Sequence, residues 1–307
     1  MILPDAPLGK EGGLNKNLGP LPLQVIPTGP VNPAKKRDIG LQHARGEIIA
    51  FLDDDAYPAK DWLKNAMVNF TDKTVAAVGG PAITPPGDSL LQKASGAVFS
   101  TPLVSAGYSY RYQVRAKRKV VDYPSCNFLV RRSAMIELGG FNTDFWPGED
   151  TKLCLDIIKK LKRTIIYDPA VLVYHHRRKM FAPHLKQIAN YARTRGYFVK
   201  QYPETSFKPA YFIPSVFLLC VFLGAVLSIF SSYLRMVYLY CLAFYLTMVL
   251  IFGISSGLKV FVRGWNPGQK AILIIDIFAG IILSHFYYGF YFIKGLFSKG
   301  LKEERLQ

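Results

Sequence analysis

The stretch that most constrains this chain is an apolar run ending in three consecutive carboxylates, Gly46-Glu-Ile-Ile-Ala-Phe-Leu-Asp-Asp-Asp-Ala-Tyr-Pro58. Ile48 to Leu52 carry the pattern of a strand buried on both faces of an α/β sheet. Asp53, Asp54 and Asp55 arrive where that strand ends, at the carboxyl edge where open α/β sheets bind their ligands. Packed carboxylates repel one another unless a cation sits between them, and oxygen ligands suit Mg²⁺ or Mn²⁺. A plainer reading stays open at this level. Asp61-Trp62-Leu63 begins a helix, and an acidic turn ahead of it has the chemistry of a helix cap.

Other segments place further polar groups around this edge. Met1 to Asp5 read as the end of a short strand running into a turn. Residues 6–34 read as loop, with a short strand near Leu23–Ile26. Asn32 to Arg45 read as a helix whose Lys35, Lys36 and Arg37 are either a solvated helix end or a clamp on phosphate near Asp55. A helix over Ala59–Phe70 and a buried strand from Val75 follow. Residues 87–119 are expected to form a helix and a mobile loop, with a basic run from Arg111 to Lys119. Asp122 to Arg132 read as turn, strand and basic helix start. Gly148-Glu149-Asp150 opens a helix in which Leu153, Cys154, Ile157, Ile158 and Leu161 hold one face. Acids there are ordinary complements of the helix dipole. Ile165 to Tyr174 form two β-rich runs broken by Asp-Pro, and His175-His176-Arg177-Arg178 follows at a strand end.

The last third changes character. Ala182–Val199 reads as an amphipathic helix, with Leu185, Ile188, Ala189, Ala192 and Val199 on one side and Lys186, Arg193 and Arg195 on the other, a pattern suited to a membrane interface. Residues 211–230, 236–254 and 271–293 are apolar stretches of spanning length. The organisation expected is therefore 1–180 as an α/β domain, 181–207 as an interface segment and 208–307 as a transmembrane region. Positive residues favour the cytosolic side. The basic front domain and the Lys259–Lys270 loop agree on an in–out–in hairpin. The basic tail Lys294–Arg305 does not, so either the rule fails there or the third stretch is re-entrant or broken. Asp276 is expected to face protein or water. The net charge of +17 over 307 residues calls for an anionic partner. Nucleic acid fits least, because the basic residues are scattered and no recognised binding module is present. Cys126, Cys154, Cys220 and Cys241 are not spaced for a metal knuckle and read as reduced and structural.

Taken in order, these pieces resemble glycosyltransferase family 2, inverting nucleotide-sugar-dependent enzymes of GT-A fold. The text that carries the resemblance is LPDAP, KKRDIGLQHARGEIIAFLDDDAYPAKDWL, VAAVGG, NFLVRRSAMIELGGFNTDFWPGEDTKLCL and IIYDPAVLVYHHRR, over about residues 1–200. The tail resembles that of membrane-attached members. The resemblance implies a nucleotide-sugar donor (UDP-sugar being commonest), a divalent cation, and a lipid-linked or glycan acceptor at a membrane. For a bacterial protein that membrane is the cell inner membrane, with the catalytic domain cytosolic. It implies Asp53 and Asp55 in the metal motif, Asp54 beside them, His175 as a further metal or diphosphate ligand, Asp5 and Arg37 near the nucleoside, and Asp150 as base supported by Glu149. Asn127, Trp146, Gln187, Arg193 and Arg195 are the implied acceptor or diphosphate contacts. The helix dipole is expected to keep Asp150 ionised at neutral pH. The resemblance also implies a strand–helix unit ahead of Asp5, so a truncated N-terminus is expected. Two other functions fit less well: a non-catalytic GT-A binding module, and a processive polysaccharide synthase, which three spans and the missing Trp of the Gln–Arg segment argue against.

Overall fold

The computed structural model describes residues 1–6 and 23–301. The loop expected over residues 7–22 and the end of the basic tail, 302–305, lie outside the described residues. In chain order the elements are α1 (Pro33–His43), β1 (Ile48–Leu52), β2 (Ala56–Pro58), α2 (Trp62–Asn69), β3 (Val75–Gly79), β4 (Ala82–Ile83), α3 (Leu90–Ser100), α4 (Pro102–Ser105), β5 (Arg118–Val120), β6 (Asn127–Arg131), α5 (Arg132–Leu138), α6 (Glu149–Lys159), β7 (Thr164–Tyr167), β8 (Val173–His175), α7 (Ala182–Gln201), α8 (Pro203–Ser206), α9 (Pro209–Phe230), α10 (Ser232–Val260) and α11 (Pro267–Leu296).

A five-stranded mixed sheet runs β1-β6-β3-β7-β5, and a three-stranded sheet, β2-β8-β4, stands beside it. β3 is buried along its whole length. One face of the large sheet packs on α5 and α6 through Met135, Leu153, Cys154 and Ile157, and the other on α2 through Ala66 and Phe70. The sheet is thus the middle of three layers. Near the N-terminus, Ile2 bridges Val25 in parallel, extending the short strand expected there.

Three local expectations are corrected. β1 is not buried on both faces: it pairs with β6 alone among the described residues and is half-exposed, Leu52 markedly so. An edge strand lacks the flanking cover that a continuous apolar run implies. The aspartates do not cap α2, because β2 intervenes and the helix begins after Asp61. Residues 87–119 are a succession of short elements, α3, α4, a 3₁₀ turn over Ala106–Arg111 and the start of β5.

α9, α10 and α11 are each long and apolar enough to cross a membrane. α11 is one continuous helix, so the expectation of a broken third stretch is not met. Asp276 on α11 is half-buried, with one carboxylate oxygen enclosed by protein. α7 has the expected inner face, Leu185, Ile188, Ala189 and Ala192 being buried. It is covered on further sides as well, with Thr194, Gly196, Tyr197 and Phe198 also buried. Its neighbours α3 and α11 form a second core with α10 through Ala94, Val98, Val249, Leu273, Ile277 and Ile281.

Two glycines let α7 and α11 touch backbone to backbone. A Cβ on Gly196 would fall 2.1 Å from the Phe292 carbonyl oxygen, and one on Gly295 2.0 Å from that of Arg193. Neither oxygen moves without moving a helix. Gly196→Ala is therefore expected to destabilise the protein by about 1–3 kcal/mol, the usual range for overpacking. Gly87→Ala, where the added methyl meets nothing within 4 Å, is expected to be near neutral. Thermal melting of both variants in nanodiscs checks the difference.

Candidate active site

The end of β1 delivers Asp53, and a turn closed by the Ala56 N–H on the Asp53 carbonyl, 3.1 Å, starts β2. β2 then pairs antiparallel with β8, with Ala56 opposite His175. That register sets His175 beside Asp55, Nε2 to Oδ1 being 2.8 Å, and ligand atoms of Asp53, Asp55 and His175 all lie within 4.8 Å of one another. Arg177 Nη1 is 3.0 Å from His175 Nδ1. A guanidinium can only donate, so Nδ1 accepts and the ring proton sits on Nε2, facing Asp55. Two carboxylates and an imidazole fit a divalent cation of the Mn²⁺ or Mg²⁺ kind, with further positions left to phosphate oxygens and water. Nε2 ligates only when the ring proton is on Nδ1 instead, so metal binding requires Arg177 Nη1 to release that nitrogen.

Facing this cluster is the N-terminus of α6. Gly148 turns the chain into it at φ 120°, and a Cβ there would meet Thr194 at 2.7 Å and the Phe198 ring at 2.8 Å. Only glycine allows α7 to press so closely on this corner. Glu149 is buried and held by Arg37, Nη1 to Oε1 being 2.7 Å, while Nη2 of the same arginine reaches Asp53 at 3.1 Å. Arg37 therefore joins the two acidic ends.

Asp122 is buried as well. It is paired with Arg195, with Arg111 at 3.6 Å, and accepts from the Thr151 hydroxyl at 3.2 Å. Burial works against its charge, but the two guanidiniums outweigh burial and hold its carboxyl down at about 2. Asp150 has no such partner. Its Oδ1 accepts from the Thr151 N–H at 2.7 Å, and the Ser125 N–H reaches Oδ2 at 3.4 Å. Burial, then the Glu149 and Asp122 carboxylates, push Asp150 up to about 7. The helix dipole does not keep it fully ionised at neutral pH, because desolvation and like charge exceed what one helix end supplies. Such a carboxyl exchanges a proton near neutrality, as a general base must.

A single cavity of about 320 Å³ connects these groups. Arg37, Asp53, Asp55, His175, Glu149, Asp150, Asp122 and Arg195 line it, together with Trp146, Gln187 and Tyr191. Its far wall is made by Tyr211 and Pro214 of α9 and Ser284, His285 and Tyr288 of α11.

Other expected residues stand elsewhere. Asp5 is exposed, paired with Lys36 at 2.6 Å, and with exposed Asp54 lies outside the cavity lining. Asn127 is fully buried, and its amide is spent on the Trp62 indole and the Gly80 and Val171 carbonyls. It braces the sheet and contacts no ligand space. Arg193 is on α7 against Gly295, outside the lining, whereas Arg195 turns inward rather than to solvent. Arg111, Asp122 and Arg177 were given no role from sequence. Their only signals were a basic run, a lone acid beside a strand and a basic cluster after His175.

This is a mixed α/β domain joined to helices of membrane-crossing length. Residues 17–139 match the sequence model of glycosyl transferase family 2. A pre-mycofactocin glycosyltransferase of Mycobacterium tuberculosis is 30% identical over 174 residues, 56% of this chain and 36% of that protein. A dolichyl N-acetyl-alpha-D-glucosaminyl phosphate 3-beta-D-2,3-diacetamido-2,3-dideoxy-beta-D-glucuronosyltransferase of Methanococcus voltae is 24% identical over 169 residues, 53% of this chain and 50% of that one. The chain thus spans half or less of these relatives' length. A crystal structure of GalNAc-T7 with UDP, GalNAc and Mn²⁺ superposes with a TM-score of 0.39 at 18% identity, over 61% of this chain and 40% of that one. The chain is thus similar to glycosyltransferase family 2 over residues 17–139.

The unpaired acid has a stability consequence. The fold raises the Asp150 carboxyl above its unfolded value, so ionising it costs stability as pH rises through about 7. In metal-free protein, Asp150→Asn is expected to melt higher than wild type above about pH 7. The gap should close as pH falls toward the ordinary carboxylate range, where wild type is protonated in both states. Melting curves across that window check the sign.

Proposed function

We propose that this protein is a membrane-attached inverting glycosyltransferase. It moves a sugar from a nucleotide-diphosphate sugar, with UDP-sugar the first candidate, to a hydroxyl of a membrane-proximal acceptor, lipid-linked or glycan. The observation that carries the reading is the shared cavity: a cation-binding constellation at one end, an unpaired acid within it, and two membrane-type helices as its far wall.

Asp53, Asp55 and His175 are the residues to hold Mn²⁺ or Mg²⁺, which when bound neutralises charge growing on the departing diphosphate. Arg177 and Arg178 line the same cavity and add fixed positive charge for that group. Arg37, spent on Asp53 and Glu149, acts as a strut fixing the distance between donor and base ends. Asp150 takes the proton of the acceptor hydroxyl as its oxygen attacks the anomeric carbon and the bond from that carbon to phosphate breaks. A base facing the attacking side, opposite the leaving diphosphate, makes a single displacement that inverts the centre. Trp146, Gln187 and Tyr191 are the acceptor contacts. We place the catalytic domain on the cytosolic face, where its basic surface agrees with the positive-inside rule.

The test is release of nucleoside diphosphate and transfer from a panel of nucleotide sugars in reconstituted membranes. Activity is expected with Mn²⁺, lost with EDTA and reduced by about 10²-fold or more in Asp150→Asn, the scale of a lost general base. The wild-type rate should rise with pH to a plateau above about 7, as the Asp150 base form accumulates. Metal-independent turnover, or Asp150→Asn acting as wild type, overturns the assignment.

A further inference from the structure

We infer that α11 lies in the membrane surface beneath the catalytic domain instead of crossing the bilayer, so that only α9 and α10 span it. The chain beyond α11 then returns to the catalytic side. Length and composition alone make α11 a third span. What it touches argues otherwise.

α7 and α11 run side by side in the same direction. Gly280 meets Met180 just before α7, Ser284 meets His184, and Gly295 and Phe292 meet Arg193 and Gly196. Helices packed in this way share one depth. α7 carries Lys186, Arg193, Arg195 and Lys200, and its other side is tied to the catalytic domain by the Arg195–Asp122 pair and by Phe198 against Phe145 at 5.3 Å. Standing α11 upright would carry that helix and those four charges into hydrocarbon, where each costs at least about 2.5–3.5 kcal/mol unless it finds water. The part of α11 free of α7, Pro267 to Ala279, is only about 20 Å long at 1.5 Å per residue. The hydrocarbon core is about 30 Å.

Polar pins agree with a fixed place under the domain. His184 bridges Ser95 of α3 at 2.8 Å and Ser284 of α11 at 3.1 Å, and His285 Nε2 meets the Leu103 carbonyl at 2.8 Å. The apolar surface agrees too. At 100° per residue the exposed Ile272, Ile275, Tyr287 and Phe290 fall on one stripe of α11, opposite to the protein-facing side. α9 and α10 expose apolar residues over much more of their circumference. A single apolar stripe on a helix otherwise covered by protein fits the boundary of a lipid bilayer. The charge pattern then closes: Lys259 and Arg263 ahead of α11, Lys270 in its first turn, Lys294 in its last turn and Lys299 beyond it all lie on one side. The placement does not rest on the transferase reading, but it sets the cavity wall of Tyr211, Ser284 and Tyr288 at the level of lipid head groups.

Cysteines introduced one at a time into a Cys220→Ala, Cys241→Ala background, which keeps only the buried Cys126 and Cys154, decide the matter, probed with a membrane-impermeant maleimide in sealed vesicles of either orientation and read against the background protein. Lys60→Cys on the catalytic domain and Lys299→Cys after α11 are expected to label from one side, and Ser232→Cys between α9 and α10 from the other. Lys299→Cys labelling together with Ser232→Cys overturns the proposal. Spin labels at Ile272→Cys, Ile275→Cys, Tyr287→Cys and Phe290→Cys, in phosphatidylcholine–phosphatidylglycerol nanodiscs, give a second reading through oxygen and nickel accessibility. A uniformly shallow depth supports an in-plane helix. A profile passing through the bilayer centre overturns it.

Discussion

Compensation of buried charge is the constraint on which the rest of this structure depends. Five carboxylates (Asp53, Asp55, Asp122, Glu149 and Asp150) open onto one cavity, and five arginines (Arg37, Arg111, Arg177, Arg178 and Arg195) share its walls. Acids this close are tolerated only when each is paired, hydrogen-bonded or protonated. Arg37 serves Asp53 and Glu149, Arg111 and Arg195 serve Asp122, and His175 serves Asp55. Asp150 is what remains. Its raised carboxyl is thus the residue of an arrangement that satisfied every neighbour.

The same pairs explain why α7 matters to both halves of the molecule. Arg195 turns into the cavity while Gly196, the next residue, seats the helix on α11. Displacing α7 from α11 would therefore shift the guanidinium that holds Asp122, and with it the field at Asp150. His184 reinforces that seat from the middle of α7. Burial pushes its ring down to about 4, so it stays neutral and serves as a plain hydrogen-bonding link between Ser95 and Ser284. The chemistry and the membrane attachment share one helix, which is a mechanical reason for the cavity to end on α9 and α11.

Much of the sheet and both acidic clusters were legible in the sequence, because their signals are local. An apolar run ending in aspartates, a Glu-Asp pair opening an amphipathic helix and a histidine after a β-rich run each need only a few consecutive residues to be seen. What stayed hidden depends on partners distant in sequence. Asp122 and Arg195 are 73 residues apart, and nothing near either one announces the pair. Asn127 is a ligand contact only by family resemblance, and its amide is consumed by three groups of the sheet and α2. The helical wheel sets Arg195 on the side of α7 opposite its packed face, yet α7 is covered on more than one side.

The apolar helices make the same point about period and environment. Hydropathy measures whether a segment tolerates lipid, not whether lipid surrounds it. α9 and α11 both qualify as spans on that scale, but α9 leaves the domain after Pro214 and Ser215 cross Gly289, whereas α11 stays beside α7 to its end. A helix that must be apolar toward both a protein core and a bilayer surface carries the composition of a span without its surroundings. The mismatch between the basic tail and a third crossing was visible in the sequence as a conflict of charge. Only the parallel contact of α7 and α11 shows which of the two signals yields, because it ties the depth of an apolar helix to that of a charged one.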